Sequence, residues 1–206
     1  MSARAAGNLK DVNTEEHIVA QAKQLFFAVG KLSASTQEIA DFAGVKRTLI
    51  NYYFGSKQKL FDRAFDEMRY SFNASLSEVL GSIASVYDKV AGLIDTFTTF
   101  MEQYPYFNIF LITELNTTKK RKKEIIQRYQ RQELENFYME IQQEMDAGNI
   151  PKMDPFNYYV NIFSLVSYPI IMRPYYDRIF NMTKKEMDSM YQKRKQDILR
   201  LLFINQ

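Results

Sequence analysis

The stretch TQEIADFAGVKRTLINYYF, residues 36–54, decides how this 206-residue chain is read. Its spacing predicts two short helices, 37–43 and 45–54, joined at Gly44 and opened by Thr36 as a side-chain cap. Two helices crossing this tightly need a small residue in the first and a cheap positive φ at the turn. Ala40 and, four residues later, Gly44 supply them. Ile39, Ala43, Val45, Ile50 and Tyr53 fill the positions that must be buried between the two.

A wheel of about 100° per residue sorts the second helix into two faces. With Val45 at zero, Leu49, Tyr53, Ile50 and Phe54 fall at roughly 40°, 80°, 140° and 180°. Arg47, Asn51, Thr48 and Tyr52 fall at roughly 200°, 240°, 300° and 340°. The polar face thus carries an arginine for guanine edges or phosphate, an asparagine for adenine edges, and a threonine and tyrosine for phosphate or thymine methyl groups. Lys46, at roughly 100°, falls on the apolar side and must lean outward on its long stem.

Charge points the same way. Residues 1–63 hold nine Lys/Arg against six Asp/Glu, whereas residues 64–206 hold eighteen of each, so the net +3 lies in the first third. No acid occurs between Asp41 and Asp62, a window containing Lys46, Arg47, Lys57 and Lys59. An acid-free basic segment suits a polyanion. The louder run, Lys119 to Lys123, lies far from the motif and reads as a solvated face.

Outward from the motif the chain reads as helices throughout. A buried stripe of Ile18, Ala22, Leu25, Phe26 and Val29 predicts a helix over 15–29, capped by Asn13 with Glu16 and ended by Gly30. Ser56 caps a helix over 57–72. Further helices are expected over 82–103, 106–115, 124–147 closed by Gly148, 155–172 opened by Asp154-Pro155, and 184–203 opened by Thr183 with Glu186. Seven glycines and five prolines are too few for a turn-rich β protein. The fold class is all-α with about nine helices: a helix-turn-helix domain over 1–55 and a larger helical domain over 56–206.

Composition disfavours most enzyme classes. With no cysteine there is no disulfide, thiolate zinc site or cysteine nucleophile. The single histidine, His17, has no neighbouring nucleophile or orienting acid, and Glu133/Glu135 and Glu140/Glu144 read as surface acids on a charged helix. No catalytic residue, metal or cofactor is expected. Residues 1–16 lack a signal-peptide core, and the apolar run 160–172 is interrupted and too short to span a bilayer. A cytoplasmic protein is expected, with no membrane partner.

The segment STQEIADFAGVKRTLINYYFGSKQKLF, residues 35–61, resembles the signature of the TetR (tetracycline-repressor-like) family of transcriptional regulators. The resemblance covers roughly residues 14–63; beyond it only length and helix pattern agree. It implies that Thr36 caps the first motif helix and touches phosphate. It further implies that Lys46, Arg47 and Thr48 open the recognition helix, that Tyr53 and Phe54 match the family's aromatic pair, and that Lys57 contacts phosphate at a helix N-terminus. With Asn51 and Tyr52 from the polar face, these are the expected DNA-binding residues. The chain departs from the family at Leu49, where a small Thr or Ser is common, and at Asn51, where a tyrosine is common.

The resemblance also implies a homodimer built from the last two long helices, binding a palindromic DNA operator and controlled by a small-molecule effector. Tyr159, Phe163, Val166, Met190, Ile198 and Leu201 are the expected interface residues, though the same stripes suit an internal core. Phe97, Phe100, Met101, Tyr104, Phe107, Phe110, Phe137 and Tyr138 form an aromatic and methionine-rich region suited to an apolar or aromatic effector, or to plain core packing. The expected function is a ligand-responsive repressor. The alternative is an all-α interaction protein whose helix-turn-helix is only structural.

Overall fold

In a computed structural model of the chain the described residues are 3–117 and 131–204, with side chains described over 13–115 and 132–204. Every regular element among them is helical. In order these are α1 (Ala3–Lys23), a π-helical turn (Gln24–Ala28), α2 (Thr36–Ala43), α3 (Arg47–Phe54), α4 (Lys57–Leu80) and α5 (Val86–Gln103). They are followed by α6 (Phe107–Thr117), α7 (Arg131–Asp146), α8 (Pro155–Ile171), α9 (Arg173–Ile179) and α10 (Lys184–Leu202). The run Lys119 to Lys123 and the start of the helix expected over 124–147 lie outside the described residues.

Two compact units result. The first ends at Phe72 and also takes in Tyr104–Phe107; the second comprises Asn73–Gln103 and the residues from Asn108 onward. The expected division at residue 55 therefore falls inside the first unit, because the opening turns of α4 complete its core: Leu60, Phe61, Ala64 and Phe65 are all buried.

The core of the first unit is aromatic. Ile18, Ala22, Leu25 and Phe26 are buried as the stripe predicts, whereas Val29 stays half exposed. The wide π-helical turn buries Phe27 instead, and its carbonyl accepts the backbone N–H of Tyr106 at 3.1 Å. Phe107 thereby enters the same cluster, edge-on to Phe27 at 5.6 Å and stacked on Phe65 at 5.4 Å. Such ring pairs each add about 0.5–1.5 kcal/mol beyond their buried area. Tyr104 and Phe107, expected in an effector pocket of the larger domain, are thus parts of the first unit.

In the second unit α5 packs chiefly on α8, with α7 and α10 each against both. Val90, Leu93, Met101, Phe137, Ile141, Tyr158, Ile162, Val166 and Ile198 are buried there. Pro169 lies inside α8 and deprives the Leu165 carbonyl of its helical donor. Arg194 Nε on α10 donates to that carbonyl at 2.8 Å, and Tyr191 Oη donates to the Pro169 carbonyl at 2.8 Å. Glu140 is not an ordinary surface acid: both its oxygens accept from Lys89 Nζ at 2.7 Å, and Lys89 is only 3 % exposed.

Most helix ends follow the local chemistry. Asp154 accepts from the N–H groups of Phe156 and Asn157 with Pro155 in the first turn, and Thr183 with Glu186 forms a capping box. Other features differ from the sequence pattern. Asn13 lies within α1 rather than before it, α4 runs on to Leu80, α5 starts at Val86 with Ser85 accepting from the Asp88 N–H, and α9 is an additional helix.

A candidate nucleic-acid interface

The first unit is built so that one face of α3 is left open. Ser35, not Thr36, caps α2: its hydroxyl accepts from the Glu38 N–H at 3.2 Å while Glu38 accepts from the Ser35 N–H at 2.8 Å. Extended backbone at Ser35 puts its hydroxyl in the capping position, and Thr36 becomes the first helical residue, half-buried. These hydrogen bonds, from the Ser35 backbone first and its side chain second, hold the Glu38 carboxyl below its ordinary range, with a smaller pull from Lys31 and Lys57.

Gly44 ends α2 at φ 67° and ψ 30°, the left-handed conformation the motif requires. The chain then turns through Lys46, which is extended and stands just outside α3 as its cap residue. Its position on a helical wheel therefore has no meaning, and it is exposed. Ile39, Ala40, Ala43 and Ile50 close the contact between α2 and α3, while Val45, Leu49 and Tyr53 are half-buried. His17 on α1 secures the arrangement by donating from Nε2 to the Ala43 carbonyl at 2.9 Å.

What remains outside is the polar face. Arg47, Thr48, Asn51 and Tyr52 are all exposed, Tyr52 by 73 %. Tyr52 stands edge-on to Tyr53 at 5.0 Å, which limits where its ring can go. Ser56 caps α4 by accepting from the Lys59 N–H at 3.2 Å, leaving Lys57 half-exposed in the first turn. Among the described residues, Lys46, Arg47, Lys57 and Lys59 form no salt bridge. Four cations outside any salt bridge, on and beside a short polar helix, can bind phosphate and present side chains to base edges.

The other expected sites are placed differently. Phe97 stands 4.3 Å from Phe163, Phe163 stands 4.4 Å from Tyr159, and Tyr159 stands 5.7 Å from Tyr138. Residues expected separately in a pocket and at an interface thus form one aromatic row inside the second unit. Met101 and Phe137 are fully buried there, and Phe100 and Phe110 half-buried. Val166 and Ile198 lie inside the second unit rather than on its surface, Met190 is half-buried and Leu201 is 66 % exposed. The exposed apolar stripe of α8 is instead Phe156, Val160 and Tyr168. Single-helix periodicity could have found it, since 156, 160, 164 and 168 share a face.

Known proteins give this site a context. Residues 18–64 match the family described as bacterial regulatory proteins, TetR family. The HTH-type transcriptional repressor NicS of Pseudomonas putida is 27 % identical over 101 residues, 49 % of this chain and 48 % of that protein, so the match spans about half the length of that curated relative. Among solved structures, the TetR family transcriptional regulator PfmR from Thermus thermophilus superposes with a TM-score of 0.63 at 15 % identity, covering 89 % of this chain and 97 % of that one. A transcriptional regulator of the TetR/AcrR family from Thermobifida fusca gives 0.61 at 17 % identity, covering 91 % and 97 %. At these identities the structures share the fold. Among the described residues no helix is long and apolar enough to cross a membrane.

Proposed function

We infer that this chain, whose residues 18–64 match the TetR family of bacterial regulatory proteins, is a repressor of that family binding a palindromic operator as a homodimer under the control of a small-molecule effector. The observation that carries the reading is the exposed face of α3, with Arg47, Thr48, Asn51 and Tyr52 projecting while Ile50 and Phe54 hold the helix from behind. Arg47 and Asn51 read base edges, and Lys46, Thr48 and Lys57 fix the unit on phosphates. Tyr52 adds apolar contact at the groove wall.

One such unit reads a single half-site, so specificity calls for two copies related by a two-fold axis. The exposed Phe156, Val160 and Tyr168 on α8, with Leu201 on α10, support a self-association surface in the second unit. The aromatic row of Phe97, Phe163, Tyr159 and Tyr138 supports an apolar or aromatic effector, which shifts the population between DNA-competent and DNA-incompetent dimers. Selection from a randomised duplex pool tests the reading. An enriched inverted repeat with half-sites about one helical turn apart is expected. A pool that enriches nothing would leave the helix-turn-helix as a structural element.

A further inference from the structure

We propose that Arg69 anchors the carboxylate of a small organic acid. Arg69 lies on α4 with its side chain only 5 % exposed. Among the described residues, its one hydrogen bond runs from Nη2 to Asp66 Oδ1 at 3.4 Å, and that aspartate is itself 48 % exposed. Nε and Nη1 have no hydrogen-bond acceptor among those residues. Those two nitrogens carry three of the five guanidinium N–H groups.

The ring of Tyr70 lies 4.5 Å from the guanidinium carbon. A ring face attracts the positive charge but leaves the in-plane hydrogens without acceptors. Arginine does not shed its proton in a protein, so the group cannot escape by neutralising. A buried cation with unpaired donors is among the least favourable arrangements a fold can hold, unless an anion completes it.

The class of anion follows from shape and surroundings. A carboxylate offers two oxygens in one plane, matching neighbouring guanidinium donors. Phe65 precedes Arg69 by one turn and Phe72 follows by three residues, and both are buried. This face of α4 favours an acid on an apolar body over a bare inorganic ion.

Thermal unfolding of the full chain, without DNA, tests this. Octanoate and benzoate are compared with octanamide, benzamide, inorganic phosphate and sodium chloride at equal ionic strength, in wild type, Arg69→Met and Arg69→Lys. In plain buffer Arg69→Met melts above wild type, because an apolar side chain of similar length removes the uncompensated charge. At least one of the two carboxylates raises the wild-type melting temperature while its amide does not. Arg69→Met loses that response, and Arg69→Lys, which keeps the charge but not the planar fork, needs about tenfold more ligand.

Equal shifts in wild type and Arg69→Met overturn the proposal, as does no shift from either carboxylate. A shift reproduced by phosphate or chloride overturns it too, as does a lower melting temperature for Arg69→Met in plain buffer. Since no DNA enters the experiment, a failed anion response leaves the operator reading standing, and failed operator binding leaves the anion response intact.

Discussion

His17 on α1 donates from Nε2 to the carbonyl oxygen of Ala43, the last residue of α2, across 2.9 Å. Helix-terminal carbonyls lack intrahelical donors, so this bond satisfies a group that the turn at Gly44 would otherwise leave to water. The chain's single histidine is thus a clamp on the helix-turn-helix. His17→Ala is expected to cost about 1 kcal/mol, which lowers the melting temperature of a unit this size by about 4–8 °C. DNA affinity should fall alike on operator and scrambled duplex, with base preference unchanged. Calorimetry and duplex titration of the variant check both; an unchanged melting temperature contradicts the clamp.

Gly44 and Gly30 both adopt positive φ, at 67° and 79°, but in different surroundings. A Cβ at Gly44 meets nothing within 4 Å, so Gly44→Ala carries only backbone strain, about 1–2 kcal/mol. A Cβ at Gly30 falls 2.8 Å from the ring of Tyr106 and must displace it. Gly30→Ala is therefore expected to destabilise more than Gly44→Ala in chemical unfolding. Gly44→Asn should recover part of the loss, because asparagine tolerates the left-handed region.

The Glu38 carboxylate is fully exposed, yet its pKa is held below the ordinary 4.5 by the backbone and hydroxyl of Ser35. A carboxylate depressed in the folded state stabilises it above the unfolded value, and the contribution is lost as pH falls through the folded one. Stability of the first unit should therefore decline below about pH 4.5. Glu38→Gln, which keeps an acceptor oxygen but not the charge, should flatten that acid limb in urea titrations from about pH 3 to about pH 6. An unaltered limb contradicts the assignment.

Arg194 replaces the donor that Pro169 removes from α8, and Tyr191 donates to the carbonyl of Pro169 itself. Burial pushes the Tyr191 hydroxyl up to about 12, with Arg173 opposing. A raised tyrosine pKa leaves the folded state holding its proton while the unfolded chain loses it. Stability is unaffected below about pH 10 and falls between there and about pH 12. Tyr191→Phe should lower stability at neutral pH by about 1 kcal/mol and reduce this alkaline loss. Denaturant unfolding at about pH 8 and about pH 11 measures both effects. Equal alkaline loss in the two proteins contradicts the account.

Legibility in the sequence tracks the range of the forces involved. Gly44, Asp154 with Pro155, and Thr183 with Glu186 act over one helical turn, and each stands where its chemistry predicts. The cap of α2 lies one residue from its expected place, at Ser35 rather than Thr36, because both hydroxyls suit the role and only backbone geometry chooses. The end of α4 is legible in principle: no breaker occurs between Phe72 and Gly81.

Longer-range matters are not. Nothing local tells that Tyr106 will donate to Phe27, carrying Tyr104 and Phe107 into the first unit. Nor does periodicity show that Lys89 will be buried against Glu140, or Arg69 buried with two nitrogens unmatched. Of the candidate interface, Arg47, Thr48, Asn51 and Tyr52 are separable by the wheel because α3 is regular there. Lys46 is not, because it stands outside the helix.

The central claim is that α3 reads bases while its flanks hold phosphate. The most direct test is fluorescence anisotropy across a salt series, on a selected duplex and a scrambled one, with wild type, Asn51→Ala, Arg47→Ala and Lys57→Ala. Wild type should prefer the selected duplex, and Asn51→Ala should lose about 1–3 kcal/mol of that discrimination without altering the salt slope. Arg47→Ala should lose discrimination as well. Lys57→Ala should weaken both duplexes equally and reduce the slope by about one per half-site. Asn51→Ala and Arg47→Ala that bind and discriminate like wild type would contradict the account.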